Sequence, residues 1–213
     1  MTRIILTRHG HVDGIHPPRF RGRLDLPLTA LGREQAGLLA DHLATHGKPD
    51  AIYSSPLSRC VDTAAIIARR CGVRPEILSA LLDFDYGEWT GKTHDEVKAA
   101  DPMRYAQWWS RPQLVRPPQG EALQDIVART ADAVRSVLEQ HRDGTAVLVG
   151  HDSTNRAMLL TLLDQPLSAF WRFEQSPCAV TEIEITDNTV HVLSVNREME
   201  SQPVRRVAAS SVA

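Results

Sequence analysis

Short apolar runs, rich in β-branched residues, recur along the chain and predict the strands of a sheet. Four of them cover residues 3–7, 51–54, 76–78 and 146–149. Two later runs, 180–185 and 190–193, are joined by Asp187-Asn188 and predict a terminal hairpin. Strands separated by long connections, followed by a hairpin, indicate a mostly parallel but mixed sheet.

Helical periodicity fills the intervals between these runs. Helices are predicted over 29–46, from Ser55-Pro56 to near Gly72, and over 154–163. Strands and helices that alternate in this way are typical of an α/β protein. We therefore expect a three-layer α/β/α sandwich.

Residues 93–142 contain no strand pattern. They hold two helical stretches, 93–110 and 121–140, separated by a proline-rich segment. We expect a helical insertion over one rim of the sheet. A chain of 213 residues suits one domain, so we expect a single domain over 1–200 and a C-terminal tail over 201–213.

Composition narrows the class of protein. The formal net charge of −2 gives no support for binding to nucleic acid or to an anionic membrane. No apolar run is long enough to span a bilayer, and no signal-peptide pattern precedes the first strand. Cys60, Cys71 and Cys178 are odd in number and lack CxxC spacing, which argues against a disulfide framework or a zinc ribbon. These features predict a cytoplasmic protein, and a homodimer is compatible with them.

Three predicted strands end in residues suited to anion chemistry. The first runs into Arg8-His9-Gly10, the second into 54–59 with Arg59 at its end, and the fourth into Gly150-His151-Asp152. Parallel strands present their carboxyl ends at one edge of a sheet, where open α/β folds bind ligands. The pattern therefore predicts two histidines and two arginines at one site.

With these motifs, from Thr7-Arg8-His9-Gly10 to about Cys178, the chain resembles the histidine phosphatase superfamily, the phosphoglycerate-mutase-like enzymes. The resemblance implies a phosphoglycerate-mutase-like fold and a catalytic domain over 1–200. It also implies metal-independent hydrolysis of a small phosphate ester, without a cofactor, through a transiently phosphorylated His9.

The residue types fit phosphoryl transfer. The planar forks of Arg8 and Arg59 suit phosphate oxygens. A neutral imidazole at His9 offers a nitrogen lone pair as nucleophile. His151, expected to be protonated, would stabilise the charge of the transferring group.

The leaving oxygen needs a proton, and one carboxylate can deliver it and later activate water. Similar family members carry a glutamate four residues before the first glycine of the segment 81–91, which places Asp83 in this role. Aspartate is one methylene shorter, so Glu88 and Asp85 remain alternatives.

Other residues are predicted to surround the substrate. Arg21, Glu88 and Asn155 are candidates for its rim. Trp108 and Trp109 can line the bottom of an apolar substrate pocket. Adjacent residues on a helix point apart, so at least one of the two is expected in the core.

Three alternatives stay open. A phosphoglycerate mutase would pass the phosphoryl group back to an acceptor instead of to water. A metal-dependent hydrolase would use the HxH spacing of His9 and His11, with His16, Asp83 and His151 as further ligands, although two arginines would repel a cation. A non-catalytic phosphate-binding module would be expected to lose His9 or His151, and both are present.

Overall fold

The computed structural model describes residues 1–15, 17–186 and 189–199 and is built around a mixed sheet of six strands in the order β3-β2-β4-β1-β5-β6. The strands are β1 (Thr2–Arg8), β2 (Ala51–Ser54), β3 (Pro75–Ile77), β4 (Thr145–Gly150), β5 (Val180–Ile185) and β6 (Val190–Arg197). The first four run parallel, and β5 and β6 are antiparallel. The predicted mixed sheet is confirmed. The hairpin residues Asp187-Asn188 and the tail 201–213 lie outside the described residues.

Helices cover both faces of this sheet, which confirms the three-layer sandwich. They are α1 (Ala30–His46), α2 (Ser58–Cys71), α3 (His94–Ala100), α4 (Pro102–Ser110), α5 (Leu123–Gln140) and α6 (Asp152–Leu162). Side chains alternate across β1, so Ile5 packs with α1 and α2 while Ile4 and Leu6 pack with α5 and α6. Among the described residues, none of the helices combines the length and the apolar character needed to cross a bilayer.

Helix boundaries differ from the predicted ones where proline and capping groups act. The predicted helix 93–110 is two helices, because Asp101 caps α4 by accepting a hydrogen bond from the Arg104 N–H and Pro102 occupies the first turn. Helix α2 begins at Ser58, not at Pro56. Helix α6 begins at Asp152, two residues earlier than expected.

The helices of 93–142 pack on an aromatic cluster beside the carboxyl edge of the sheet. Trp108 is fully buried in this cluster, whereas Trp109 is 42% exposed. The two neighbouring indoles therefore point apart, as expected for a helix.

The loop after β1 lies directly on the first turn of α1. The Thr29 N–H donates to the His11 carbonyl at 3.0 Å, and the His11 N–H donates to Gln35 at 2.9 Å. A Cβ at Gly32 would overlap the His11 carbonyl oxygen, and a Cβ at Gly10 would overlap the Gly32 carbonyl. Glycine is required at both positions because two backbones touch there.

We expect Gly32→Ala and Gly37→Ala to change stability in opposite directions, although both lie in α1. At Gly37 a Cβ meets open space among the described residues, so alanine should stabilise by about 0.5–1 kcal/mol through helix propensity. At Gly32 the overlap should destabilise by about 1–3 kcal/mol. Urea denaturation of the two variants measures both effects. Equal stabilisation by both alanines would contradict the close approach.

Candidate active site

The carboxyl ends of three parallel strands bring the two histidines together. Arg8 pairs with Gly150 in the β1–β4 register, so His9 and His151 each follow at the next position. The His9 N–H donates to the Gly150 carbonyl at 3.0 Å, and the two imidazole centroids are 5.2 Å apart. Ser55, at the end of β2, lies 2.8 Å from Nε2 of His151 through its Oγ.

His9 is held in one tautomer. Its Nδ1 lies 2.7 Å from the Gly10 carbonyl, which can only accept, so Nδ1 carries the proton and Nε2 carries the lone pair. Burial lowers the pKa of His9 well below its usual value, and the neighbouring His151, Arg8 and Arg59 act in the same direction. The imidazole is therefore neutral and presents a nucleophilic nitrogen.

Arg59 is fully buried and already has several acceptors. Its Nη1 donates to the Leu24 carbonyl at 2.6 Å, and its Nη2 donates to the Gly22 carbonyl at 2.8 Å and to Asp83 Oδ2 at 3.1 Å. The expected picture of a fork directed wholly at phosphate is therefore too simple. Arg59 also ties the loop after β1 to the predicted acid.

The contacts of His151 fit a neutral ring in this unliganded arrangement, and its protonation beside a bound phosphate stays a prediction. Arg59 Nε donates to its Nδ1 at 3.3 Å, so Nδ1 is an acceptor and the proton is on Nε2, which faces Ser55 Oγ. Burial, together with the positive charges of Arg59 and Arg8, lowers the pKa of His151 well below its usual value.

Asp83 lies beside both groups. Its Oδ2 is 3.6 Å from His151 Nδ1, and its Oδ1 accepts the Phe84 N–H at 2.8 Å. Burial raises the pKa of Asp83, although the charge of Arg59 opposes the shift. A carboxyl group that keeps its proton to a higher pH is suited to act as an acid.

The two alternative carboxylates are placed differently. Asp85 forms an ion pair with Arg23 at 3.1 Å and accepts the Gly87 N–H. Glu88 is exposed, accepts a hydrogen bond from Gln119 at 3.0 Å and does not line the cleft described below. The structure therefore does not bring Glu88 into the cleft.

Asn155, the other rim candidate, does not line the cleft either. It is fully buried, and its Nδ2 donates to Gln175 Oε1 at 3.1 Å. The Gln175 carbonyl in turn accepts from Arg8 Nη1 at 2.7 Å. Asn155 thus lies behind Arg8 and supports it, because a buried polar side chain must find its partners within the protein.

A cleft of about 520 Å³ opens over Arg8 and Asp83. Its basic lining residues are Arg8, Arg19, Arg21 and Arg156, its acidic ones Asp83, Asp152 and Glu174, and its aromatic ones Phe20, Tyr86, His94, Trp108, Trp109 and Trp171. Arg21 is thus among the lining residues, and its contact with substrate stays a prediction. Asp152, Glu174 and Trp171 had not been expected there, although the position of Asp152 directly after His151 was a usable signal.

Asp152 is ionised within this basic cleft. Burial alone would raise its pKa, but the charges of Arg156, Arg8 and Arg21 outweigh burial and hold the pKa far below its usual range. Its carboxylate pairs with Arg156 at 3.1 Å. The cleft therefore carries a fixed negative charge beside its arginines.

The HxH pair does not form a metal-ligand set with other side chains in the part of the chain that the structure describes. No three His, Cys, Asp or Glu residues there are grouped closely enough to hold an ion. His11 instead places Nδ1 3.0 Å from Thr29 Oγ1. His16, the further ligand considered, lies outside the described residues.

A family model, described as histidine phosphatase superfamily (branch 1), matches residues 4–198. The chain belongs to this superfamily. It is 32% identical over 196 residues to phosphoserine phosphatase 1 of Hydrogenobacter thermophilus, covering 92% of each chain. It is 30% identical over 165 residues to a metal-independent phosphoserine phosphatase of Arabidopsis thaliana, covering 76% of this chain and 69% of the relative.

Solved structures agree with this assignment. Bacillus stearothermophilus YhfR superposes with a TM-score of 0.86 at 31% identity, over 94% of this chain and 98% of that one. The predicted phosphoglycerate-mutase-like architecture is confirmed. The protein is a phosphomonoesterase of the histidine phosphatase type.

Acidification should destabilise the protein through its buried histidines. The pKa values of His9 and His151 are lowered by folding, so the unfolded chain, with a histidine pKa of about 6.5, takes up protons first. Stability is then complete above about pH 6.5 and falls below it, by up to about 1.4 kcal/mol per pH unit for each histidine. The raised pKa of Asp83 acts in the opposite direction.

Urea denaturation at pH 7.5 and 5.5 should show a smaller pH-dependent loss in His9→Gln and in His151→Gln than in the unaltered protein. His191→Gln, on an exposed part of β6, controls for removal of a surface imidazole. An unchanged pH dependence in both site variants would show that neither histidine is buried as a neutral ring.

Proposed function

We propose that this phosphatase hydrolyses small phosphate monoesters in two steps, through a phosphohistidine on His9. The observation that carries the proposal is the fixed tautomer of His9. Its Nδ1 is held by the Gly10 carbonyl, and its unprotonated Nε2 belongs to a neutral ring surrounded by cationic side chains.

In the first step, Nε2 of His9 attacks phosphorus while the bond from phosphorus to the ester oxygen breaks. Asp83 gives its proton to the departing alkoxide, which leaves as the alcohol. In the second step, Asp83 accepts a proton from water, whose oxygen attacks phosphorus while the bond from phosphorus to Nε2 of His9 breaks. Inorganic phosphate leaves, and both His9 and Asp83 return to their starting protonation states.

Charge stabilisation comes from groups that are already in place. Arg8 lines the cleft, and its Nε is buried without an acceptor among the described residues. A phosphate dianion would supply that acceptor. The same dianion would offset the arginine charges that lower the pKa of His151, and so favour the protonated ring in the complex.

Hydrolysis is favoured over mutase chemistry by the names of the relatives. The Hydrogenobacter relative, matched over 92% of both chains, is a phosphatase by name. Metal-independent action fits the arginines that surround the site, since they supply the positive charge that a cation would otherwise bring. Three free, buried cysteines suit the reducing cytoplasm as the place of action.

His9→Ala should abolish turnover without unfolding the protein. Removal of the nucleophile leaves only slow attack by water, and the imidazole lies at a strand end outside the three apolar clusters. Assays contain an aryl phosphate and excess EDTA, with circular dichroism as the control for folding. Labelled phosphate on the unaltered protein should be acid-labile and base-stable, and His9→Ala should not trap it.

Near-normal turnover of His9→Ala would end the assignment of the nucleophile. Loss of activity of the unaltered protein in EDTA, with recovery on adding a divalent ion, would favour the metal-dependent alternative. Label that passes to an added alcohol instead of to water would favour the mutase.

Asp83→Asn should reduce the kcat/KM for alkyl phosphates far more than that for aryl phosphates. An alkoxide needs a proton to leave, whereas a phenolate with electron-withdrawing groups leaves without one. We expect a loss of about 10²–10⁴-fold in kcat/KM for the alkyl ester, in the range of general acid catalysis. Asp83→Glu should keep activity on both esters, because it retains the carboxyl group.

Glu88→Gln is the matched control from the same segment. Its side chain is exposed and paired with Gln119, so both esters should be hydrolysed at nearly unchanged rates. Two results together would assign the role of general acid to Glu88 instead. Glu88→Gln would lose kcat/KM selectively on the alkyl ester, and Asp83→Asn would show an equal and small loss on both esters.

A further inference from the structure

The cleft is much larger than a phosphate group. Its volume of about 520 Å³ falls within the range of roughly 300–1,000 Å³ that is typical of sites for whole small molecules. Arg8 and Asp83, to which the proposed function gives the phosphate and the leaving oxygen, both line it. The remaining volume is therefore available to the alcohol part of the ester.

One wall of this volume is a continuous row of flat rings, which we call the aromatic strip: Phe20, His94, Trp109 and Trp171. His94 stacks on Phe20 with centroids 4.4 Å apart, and on Trp109 at 5.6 Å. Trp109 packs on Trp171 at 4.4 Å. Each ring is held by its neighbour, so the strip is preorganised.

Trp109 is the exposed member of the strip. An indole that is 42% exposed, in a helix whose preceding residue is fully buried, leaves a large apolar surface in contact with water. Trp109 also lines the same cleft as Arg8 and Asp83. Rigid aromatic surfaces of this kind bind flat apolar faces with little loss of side-chain entropy.

We propose that the aromatic strip, with Trp109 at its exposed position, is a subsite for a ring in the alcohol part of the substrate. This rests on the proposed phosphatase function and names the class of ester that the cleft selects: phosphates of ring-bearing alcohols. A ring is favoured over an open chain because it presents a compact apolar face and has fewer torsions to immobilise on binding.

Three secondary alkyl phosphates test this selection: isopropyl, cyclohexyl and 1-methylpentyl phosphate. Their alkoxides are similar as leaving groups, so differences in kcat/KM report on the alcohol subsite. Cyclohexyl phosphate should exceed isopropyl phosphate by about tenfold or more, as expected when several methylenes enter an apolar pocket. It should also exceed the open-chain ester with the same number of carbons.

Trp109→Ala should reduce the cyclohexyl-to-isopropyl ratio of kcat/KM by about tenfold, mainly through KM of the cyclohexyl ester. Trp109→Phe, which keeps a ring, should retain most of the ratio. Met103→Ala is the matched control: Met103 lies in the same helix, is 74% exposed and is outside the cleft, so the ratio should not change.

The carbon–phosphorus bond of cyclohexylphosphonate and isopropylphosphonate is not hydrolysed. Calorimetric measurement of their binding therefore tests the ring subsite separately from the proposed phosphatase function. Tighter binding of the cyclohexyl compound, reduced in Trp109→Ala, supports the subsite even if every ester resists turnover, a result that would overturn the proposed function alone. Equal affinities and equal kcat/KM values would overturn the subsite and leave the phosphatase function standing. A 1-methylpentyl ester as good as the cyclohexyl ester would overturn the selection for rings.

Discussion

The buried guanidinium of Arg59 is the interaction on which the geometry of the site depends. A fully buried charge costs several kcal/mol in lost hydration unless its partners are in place. Those partners come from three separate places in the chain: the carbonyls of Gly22 and Leu24, the carboxylate of Asp83 and the ring of His151. One side chain therefore sets the relative positions of the loop after β1, the proposed acid and the second histidine.

Burial is the main reason that both histidines have low pKa values, and the same concentration of positive charge adds to it and favours an anion in the site. Arg8 and Arg59 act in this way on both His9 and His151, and the ionised Asp152 offsets their charge only in part. A phosphate dianion relieves repulsion among side chains that folding has already brought together. Phosphate binding is then favoured by relief of the repulsion among the arginines as well as by new hydrogen bonds.

Much of this could be predicted because it depends on local patterns. Strand-forming runs placed His9 and His151 at the ends of parallel strands, and the parallel order of the sheet then made them meet. The places of Glu88 and Asn155 could not be predicted in this way because they depend on contacts across the fold: Glu88 turns outward to Gln119, and Asn155 turns inward to Gln175. Only part of the aromatic strip could be predicted from the sequence, because Trp171 is distant in sequence from the helix that carries Trp109.

The backbone that carries Asp83 is held by side chains from a distant part of the chain. Arg129, from α5, donates to the Ala80 carbonyl at 2.6 Å and to the Asp83 carbonyl at 3.2 Å. Glu121 accepts from the Asp85 N–H at 2.9 Å and pairs with Arg129 at 3.2 Å. These contacts fix the segment on both sides of Asp83, whose carboxyl group reaches Arg59 at 3.1 Å. The position of the acid therefore depends on long-range contacts, and the helical segment takes part in placing the acid as well as in forming the wall of the cleft.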